Sequence, residues 1–268
     1  MPAEGEMRAP QSERNTSIGL PAVTADILER LRERRPRVHC ITNAVAQAFT
    51  ANMLLAAGAV PSMTIALKEV KAFAARADAV LINLGTFDPE RQKASLAAIG
   101  VANKAGIPWV LDPVFIDRSP LRAAFAKALV AKKPRALRLN RAEFSALCGG
   151  KIDDAALTRF AKARRTVVGL TGEHDLVRDA ERLATIANGH PLMARVTAMG
   201  CAASALVGAT LAVEPDPWIA TAAALIIIGV AGEIAVARAR GPGSFAMEIL
   251  DAVYVLDRDT LIARAKVS

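Results

Sequence analysis

The segment ADAVLINLGTFDPERQKASLAAIGVANKAGIPWVLDPV, residues 77–114, contains the pattern that assigns the fold class. A largely apolar run over 77–85 opens it, as in a strand that is buried on both faces of a sheet. The stretch from Pro89 then predicts a helix, and Gly106 is placed to end that helix. A second apolar run, PWVLDPV, predicts the next strand. This order of strand, helix and strand predicts parallel strands that are covered by helices.

The same alternation extends over most of the chain. Further strands are predicted for RVHCIT, RALRLN and TVVGLTG, and Asn43 is predicted to be the N-cap of the helix after the first of them. Residues 175–197 contain the short segments DLVRD, RLATIANG and PLMARVT, which predict antiparallel strands at one sheet edge. From Gly200 onward the pattern is helical. We therefore expect a loose tail over 1–20 and one domain over 21–268, an α/β fold with three layers and a mostly parallel central sheet.

The composition limits the classes of function. Of the 268 residues, 53% are hydrophobic, which is enough for a buried core and argues against a disordered chain. The net charge of +8 fits a soluble surface or attraction to phosphate-bearing ligands. No nucleic-acid binding is expected, because the basic run LRERRPR at 31–37 has no interleaved aromatic residues. The longest apolar stretch, 219–232, is too short to span a bilayer, so it predicts a core helix and no membrane partner.

The cysteines indicate the redox environment. Cys40, Cys148 and Cys201 lie far apart and show no zinc-binding spacing. The count is odd and the N-terminal segment has no apolar signal region, which favours reduced thiols and a cytoplasmic protein.

Polar residues follow the predicted strands at the edge where open α/β sheets bind ligands. They place carboxylates, amides, an arginine, a hydroxyl and a thiol on one rim: Asn43, Asn83, Thr86, Asp112, Arg138, Asn140, Glu143, Thr171, Asp175 and Cys201. This set favours phosphoryl transfer. Asp112 and Glu143 are candidate Mg²⁺ ligands that act through water, and Arg138 is a candidate partner of a nucleotide phosphate. The helix that starts near Gly200 would direct free N–H groups at an anion.

Several of these residues also have a purely structural interpretation. Asp112 precedes a proline and is able to cap a turn, whereas Asn140 and Glu143 match a helix capping box. Arg138 suits a surface ion pair, and a lone Cys201 suits a small buried apolar side chain. The chain has no GxxxxGK[ST] and no GxGxxG after a strand. The residues alone therefore indicate an α/β enzyme with a phosphate site and leave its substrate open.

Several strings occur in an order and spacing that resemble the hydroxyethylthiazole kinases, a ribokinase-like family of thiamine salvage. They are VHCITNAVAQAFTANMLLAAGAVPSM, LINLGT, VLDPV, TGEHD, NGHPLMARVT, GC and GPGSF, from about residue 37 to about residue 253. The resemblance implies a ribokinase-like α/β/α fold with ATP and Mg²⁺ as cofactors. It also implies phosphorylation of the hydroxyethyl group of 4-methyl-5-(2-hydroxyethyl)thiazole, and a homotrimer with active sites between subunits.

The resemblance further implies roles for single residues. The matching positions are thiazole contacts at Met63, Asn43 and Ala198, ATP contacts at Arg138 and Thr171, and acidic residues near Mg²⁺ at Asp112 and Glu143. Cys201 stands where related sugar kinases have a catalytic aspartate, and Gly200 precedes it at the start of the anion-binding helix. Because a helix N-terminus lowers the pKa of a thiol, Cys201 is expected to accept the proton of the substrate hydroxyl.

Three features depart from the family pattern. Ala198 replaces the first glycine of V-T-G-x-G-C, so a positive φ at this position would be strained. The segment FIDRSP at 115–120 replaces a glycine-rich loop, and Leu139 stands in the middle of the family's R-G-N. Two hypotheses stay open beside the thiazole kinase. FIDRSP motivates a kinase of another small alcohol, and Ala198 motivates a ligand-binding homologue without turnover. A hydrolase or dehydratase on a related fold is a third alternative.

Overall fold

The computed structural model describes residues 19–150 and 152–268, and the following elements lie within these ranges. The strands are β1 (Arg37–Ile41), β2 (Val60–Ser62), β3 (Ala79–Asn83), β4 (Trp109–Asp112), β5 (Ala136–Asn140), β6 (Val167–Thr171), β7 (Asp175–Arg178) and β8 (Leu183–Ile186). The α-helices are α1 (Leu20–Arg34), α2 (Gln47–Ala57), α3 (Val70–Arg76), α4 (Pro89–Ala105), α5 (Pro120–Val130), α6 (Arg141–Cys148), α7 (Asp154–Arg164), α8 (Met199–Val213), α9 (Pro217–Val236), α10 (Pro242–Val255) and α11 (Arg258–Arg264).

The strands form a single sheet in the order β2-β1-β3-β4-β5-β6-β7-β8. Strands β2, β1, β3, β4, β5 and β6 pair with one another in parallel, whereas β7 pairs antiparallel with both β6 and β8. The predicted parallel sheet and the antiparallel edge over residues 175–186 are thus confirmed. The carboxyl ends of β1, β3, β4, β5 and β6 face the same side of the sheet, which places the polar residues that follow them on one rim.

Helices cover both faces of the sheet and form two hydrophobic cores. The larger core joins the sheet to α1, α2 and α8–α11, and the smaller core joins it to α3–α7. Local signals set the helix ends. Asp88 accepts a hydrogen bond from the Arg91 N–H at the start of α4, and Gly106 ends this helix with a φ of +71°. The three-layer α/β/α arrangement is as predicted.

Some local predictions were wrong. Asn43 is not a helix N-cap, because α2 begins four residues later and Ala46 occupies the cap position. The segment PLMARVT does not form a strand; Pro191–Arg195 is a 3₁₀ turn that His190 caps by accepting the Leu192 N–H. Pro191 has no N–H to donate to a strand partner. The proposed tail over 1–20 lies outside the described residues as far as residue 18, and α1 already begins at Leu20.

Helix α9 contains the apolar stretch 219–232. Among the described residues it is long and apolar enough to cross a membrane, with 20 residues and a mean hydropathy of 2.2, so the sequence estimate of its length was too short. However, 78% of its most apolar window is buried inside the fold, where it packs against α1, α8 and α10. The predicted core helix is confirmed.

Candidate active site

A chain of four buried side chains links the ends of β1, β3 and β4 to the first turn of α8. The Asn43 amide donates hydrogen bonds to Cys201 Sγ at 3.1 Å and to Asn83 Oδ1 at 3.3 Å. The Asn83 amide donates to Cys201 Sγ at 3.3 Å and to Asp112 Oδ2 at 2.7 Å. Asn83 and Asp112 are register partners on neighbouring parallel strands, which explains their short distance. The fold therefore brings Asn43, Asp112 and Cys201 together, as the strand-end argument predicted.

Close backbone packing makes room for Asn43. A Cβ atom on Gly85 would lie 2.6 Å from Nδ2 and 2.7 Å from Cβ of Asn43, which is closer than such atoms approach in proteins. The Gly85 N–H also donates to Asn83 Oδ1 at 2.9 Å. Gly85 thus allows the loop after β3 to close over the two amides and hold them at the sulfur atom.

Asp112 carries a buried carboxylate with one oxygen left free. Its Oδ2 accepts from Asn83 and from the Ser204 hydroxyl at 2.8 Å, whereas its Oδ1 is buried and has no hydrogen-bond partner in the described structure. Burial raises the pKa of Asp112 to about 6, and the nearby Glu143 charge adds to the increase, while Arg138 opposes it. A carboxylate oxygen without a partner at a ligand-binding edge is able to bind a cation or to accept a hydrogen bond from a ligand.

The environment of Cys201 raises the pKa of the thiol, contrary to the prediction. Burial is the main cause and the Asp112 charge adds to it, so the pKa is about 11 despite hydrogen bonds from Asn43 and Asn83. The neighbouring carboxylate repels a thiolate, so the low pKa and the proton-acceptor role expected for Cys201 are wrong. Cys201 is therefore a neutral thiol at neutral pH, and its sulfur is an acceptor for two amides.

The N-terminus of α8 is open to an anion. The N–H groups of Gly200 and Cys201 donate to no group among the described residues, and the first turn contains no side chain that caps them. The Arg138 guanidinium lies against this turn, because a Cβ on Gly200 would be 2.6 Å from Arg138 Nη1. Arg138 Nε is buried without a hydrogen-bond partner. Two free N–H groups and an incompletely paired guanidinium thus converge, as phosphate binding requires.

Glu143 has the structural role that its spacing from Asn140 predicted. It forms a capping box at the start of α6, in which Oε2 accepts the Asn140 N–H at 2.9 Å. Its Oε1 accepts the Phe115 N–H at 3.1 Å. Glu143 therefore fixes the loop after β4 with both oxygens. No cluster of three or more His, Cys, Asp or Glu side chains suited to a metal occurs among the described residues.

Two other predicted site residues lie on the same edge without a contact to this network. Thr171 ends β6, is register partner of Asn140, and donates its hydroxyl to the Leu139 carbonyl at 3.4 Å. Met63 follows edge strand β2 and packs, partly buried, against the larger core. Their positions agree with a ligand-binding rim that extends along the sheet from β2 to β6.

Known proteins resemble the chain over nearly its whole length. A model of the hydroxyethylthiazole kinase family matches residues 28–259. The hydroxyethylthiazole kinase of Granulibacter bethesdensis is 47% identical over 247 residues, which cover 87% of this chain and 90% of that protein. The chain belongs to the hydroxyethylthiazole kinase family. The structure of a hydroxyethylthiazole kinase protein from Pyrococcus horikoshii OT3 matches with a TM-score of 0.88 at 39% identity, and covers 92% of this chain and 98% of that one.

Membership of the hydroxyethylthiazole kinase family identifies the chain as a kinase, as predicted. Its fold is ribokinase-like. A ribokinase-like superfamily protein from Enterococcus faecalis V583 matches with a TM-score of 0.67, covering 85% of this chain and 93% of that one, although only 13% of residues are identical. At that identity the likeness shows the fold alone.

Ala198 is the position at which this member of the hydroxyethylthiazole kinase family departs from the pattern at the helix start. It is the N-cap of α8 and has a φ of +71° and a ψ of 0°, in the left-handed region. The strain inferred from the sequence is therefore present, because a Cβ atom in this region costs about 1 to 2 kcal/mol.

Replacing Ala198 with glycine is expected to raise the free energy of unfolding by about 0.5 to 1 kcal/mol, since relief of strain exceeds the added freedom of the unfolded chain. Urea denaturation measures this change. Ala209→Gly, in the middle of α8, is the matched control and is expected to lower stability by about 1 kcal/mol. A loss of stability in Ala198→Gly would show that the left-handed N-cap is not strained.

Two residues to which the sequence assigned no particular role complete the site. Asn83 joins the sulfur to the carboxylate, and Ser204 provides the second donor to Asp112. The sequence indicated a place for Asn83 in the site, because it ends the strand next to the one that Asp112 ends. The sequence also indicated Ser204, because it lies one helical turn after Gly200 and therefore on the same side of α8.

Proposed function

We propose that this kinase transfers the terminal phosphoryl group of ATP to the primary hydroxyl of 4-methyl-5-(2-hydroxyethyl)thiazole in thiamine salvage. The arrangement of Cys201, Asn43, Asn83 and Asp112 beside the open N-terminus of α8 is the observation that carries the proposal. This arrangement places polar groups that are able to orient a hydroxyl beside a helix N-terminus that is able to bind a phosphoryl group. The names and matching lengths of the relatives support the choice of the thiazole alcohol.

The surroundings of each residue in the site indicate its role in binding or catalysis. The Gly200 and Cys201 N–H groups and the Arg138 guanidinium bind the transferring phosphoryl group and stabilise its charge. Phosphoryl transfer depends mainly on such positioning and charge stabilisation, so a neutral thiol is compatible with it. Cys201 keeps its own proton at neutral pH and orients the substrate hydroxyl. The hydroxyl proton leaves late, when the phosphorus–oxygen bond has largely formed, and passes to an oxygen of the transferred phosphoryl group. Thr171, at the end of β6, contributes to the ATP site, and Met63 with Asn43 and Ala198 contributes to the thiazole site.

Mg²⁺ fits the acidic end of the site. Asp112 Oδ1 is a buried carboxylate oxygen without a partner, which is the type of ligand that Mg²⁺ prefers. Glu143 uses both oxygens within the protein, so it would reach the ion through water. When bound, the ion would neutralise charge on the ATP phosphates.

The role of Cys201 is tested by Cys201→Ser. We expect kcat to fall about 100-fold, because the shorter C–O bond and smaller oxygen atom misplace the substrate hydroxyl. The KM for ATP should stay unchanged, since the N–H groups of the helix remain. Steady-state kinetics with both substrates measure the two constants, and Cys148→Ser, an exposed thiol outside the site, is the control. Unchanged kcat in Cys201→Ser would show that the sulfur does not orient the substrate hydroxyl.

The substrate is tested by coupled ADP release from ATP and Mg²⁺ with and without the thiazole alcohol. Dependence on the thiazole supports the proposal. A second candidate is phosphorylation of another small alcohol, which the loop after β4 favours: Phe115 has a φ of +59°, is 48% exposed and lies 5.1 Å below the Arg118 guanidinium. A panel of small primary alcohols separates the two. Binding of the thiazole without ADP release would instead identify a homologue without turnover.

We also propose that the active protein is a cytoplasmic homotrimer with sites between subunits. Exposed apolar side chains on α2, α3 and α10, such as Leu55, Phe73 and Met247, are available for subunit contacts. Light scattering that gives a monomer mass at micromolar concentration would contradict the assembly.

A further inference from the structure

His39 is a fully buried imidazole on β1 that the kinase mechanism does not use. Its side chain faces α3, where the Phe73 ring lies 5.9 Å away at an angle of 30°. Burial lowers its pKa to about 4, although the Thr64 backbone acts in the opposite direction, so the ring is neutral at neutral pH. Its Nε2 has no partner within hydrogen-bonding geometry in the described structure. A buried polar ring is costly, so its position needs an explanation.

The polar contacts of the ring point to the segment after β2. His39 is the register partner of Ser62, and its Nδ1 lies 2.9 Å from Ser62 Oγ. The Thr64 backbone is the other polar group that influences the ring. The imidazole thus contacts Ser62, the residue directly before Met63.

The same segment has little other support from the sheet. Strand β2 has only three residues and lies at the edge of the sheet, with β1 as its single neighbour. The hydrogen bonds of the following residues are local. The Thr64 hydroxyl donates to Glu69 Oε2, the Ala66 N–H donates to the Thr64 hydroxyl, and the Glu69 N–H donates to the Ala66 carbonyl. Besides the pairing of β2 with β1 and the packing of Met63 against the larger core, the His39 side chain is therefore a polar contact that holds the end of β2.

We infer that His39 is a positioning residue that holds Met63 in place through Ser62, and thereby sets the affinity for the thiazole alcohol. The inference rests on the proposed function in one respect, the contact between Met63 and the thiazole ring. It assigns no contact between His39 and the substrate. A thioether fits a flat ring only when its sulfur is held at the ring face or edge, which a mobile segment would not achieve.

The experiment compares Ser62→Ala, His39→Leu and His39→Gln with the wild-type protein. Ser62→Ala removes the hydroxyl from a half-buried position and leaves the core intact. We expect the KM for the thiazole alcohol to rise about 3- to 10-fold, the effect of one lost hydrogen bond. The kcat and the KM for ATP should not change. His39→Gln keeps a group able to bond Ser62 and should rescue most of the loss seen in His39→Leu. Thr185→Ala, which removes a hydroxyl from strand β8 at the opposite edge, is the control.

A second measurement does not require turnover. Methyl-¹³C methionine labelling gives a resonance for Met63 that is assigned with Met63→Leu. We expect this resonance to shift or broaden in Ser62→Ala and His39→Leu, and to stay as in the wild type in Thr185→Ala.

The two measurements separate the inference from the proposed function. If wild-type protein releases no ADP with the thiazole alcohol, the proposed function fails, and the Met63 resonance still decides whether His39 positions the segment. An unchanged Met63 resonance in Ser62→Ala and His39→Leu overturns the inference. A changed resonance with an unchanged KM in an active enzyme also overturns it, as does an equal rise in the KM for ATP.

Discussion

Asp112→Asn should lower kcat about 1,000-fold while making the protein more stable at pH 8. The catalytic loss follows because the amide cannot supply the free anionic oxygen at the site of phosphoryl transfer, and removal of one such group costs about 100- to 1,000-fold or more. The gain in stability follows from burial. Folding raises the pKa of Asp112 from 3.8 to about 6, so holding its charge in the folded state at pH 8 costs roughly 3 kcal/mol at most.

The dependence on pH has a definite sign. The folded protein retains the Asp112 proton between about pH 4 and pH 6, whereas the unfolded chain loses it, so stability falls as the pH rises through this range. In Asp112→Asn this fall should be absent. Urea denaturation at several pH values in a chelating buffer measures it, and Asp251→Asn, an exposed carboxylate on α10, is the control. An Asp112→Asn protein that is less stable than wild type at pH 8 would show that hydrogen bonds, and not the buried charge, dominate.

Arg138→Met is expected to lower kcat/KM for ATP about 100- to 1,000-fold. Its guanidinium lies against Gly200 at the open N-terminus of α8, and its Nε has no hydrogen-bond acceptor among the described residues. The positive charge of Arg138 lowers the pKa of Asp112, so its loss should raise that pKa further. Initial rates at varied ATP measure the effect.

Arg138→Lys distinguishes charge from geometry. Lysine keeps the positive charge but lacks the planar fork, so an intermediate loss is expected. Arg159→Met removes an exposed arginine from α7 and is the charge-matched control. If Arg138→Met kept the wild-type kcat/KM for ATP, the phosphate-binding role of Arg138 would be wrong.

The residues at strand ends could be predicted from the sequence because each strand is marked by a short run of apolar residues that are neighbours in the chain. Apolar runs of four or five residues defined β1, β3, β4, β5 and β6, and parallel strands align their carboxyl ends. That argument was sufficient to place Asn43, Asp112 and Arg138 on one rim. The capping box of Asn140 and Glu143 was likewise visible, because it depends on a spacing of three residues.

Other features have no local signal. Strand β2 contains only Val60–Ser62 and includes a proline, so its pairing with β1 depends on the packing of α2 against it. Asn43 was assigned to a helix N-cap because asparagine often has that role, yet its amide is used by Cys201 and Asn83, which are 158 and 40 residues away in the chain. Tertiary contacts outweighed the local preference.

Sequence patterns alone predict the three-layer fold and the rim that carries the site, and they mark Ala198 as a position where a positive φ would be strained. These depend on apolar periodicity, on the polarity of parallel strands and on the steric cost of a Cβ atom. The protonation states of Cys201 and Asp112 became clear only from the folded structure. The pKa of Cys201 rises because the folded chain buries the thiol and brings the Asp112 charge close to it from another element. Such effects depend on distances between distant residues and on the exclusion of water, which exist only once the chain has folded.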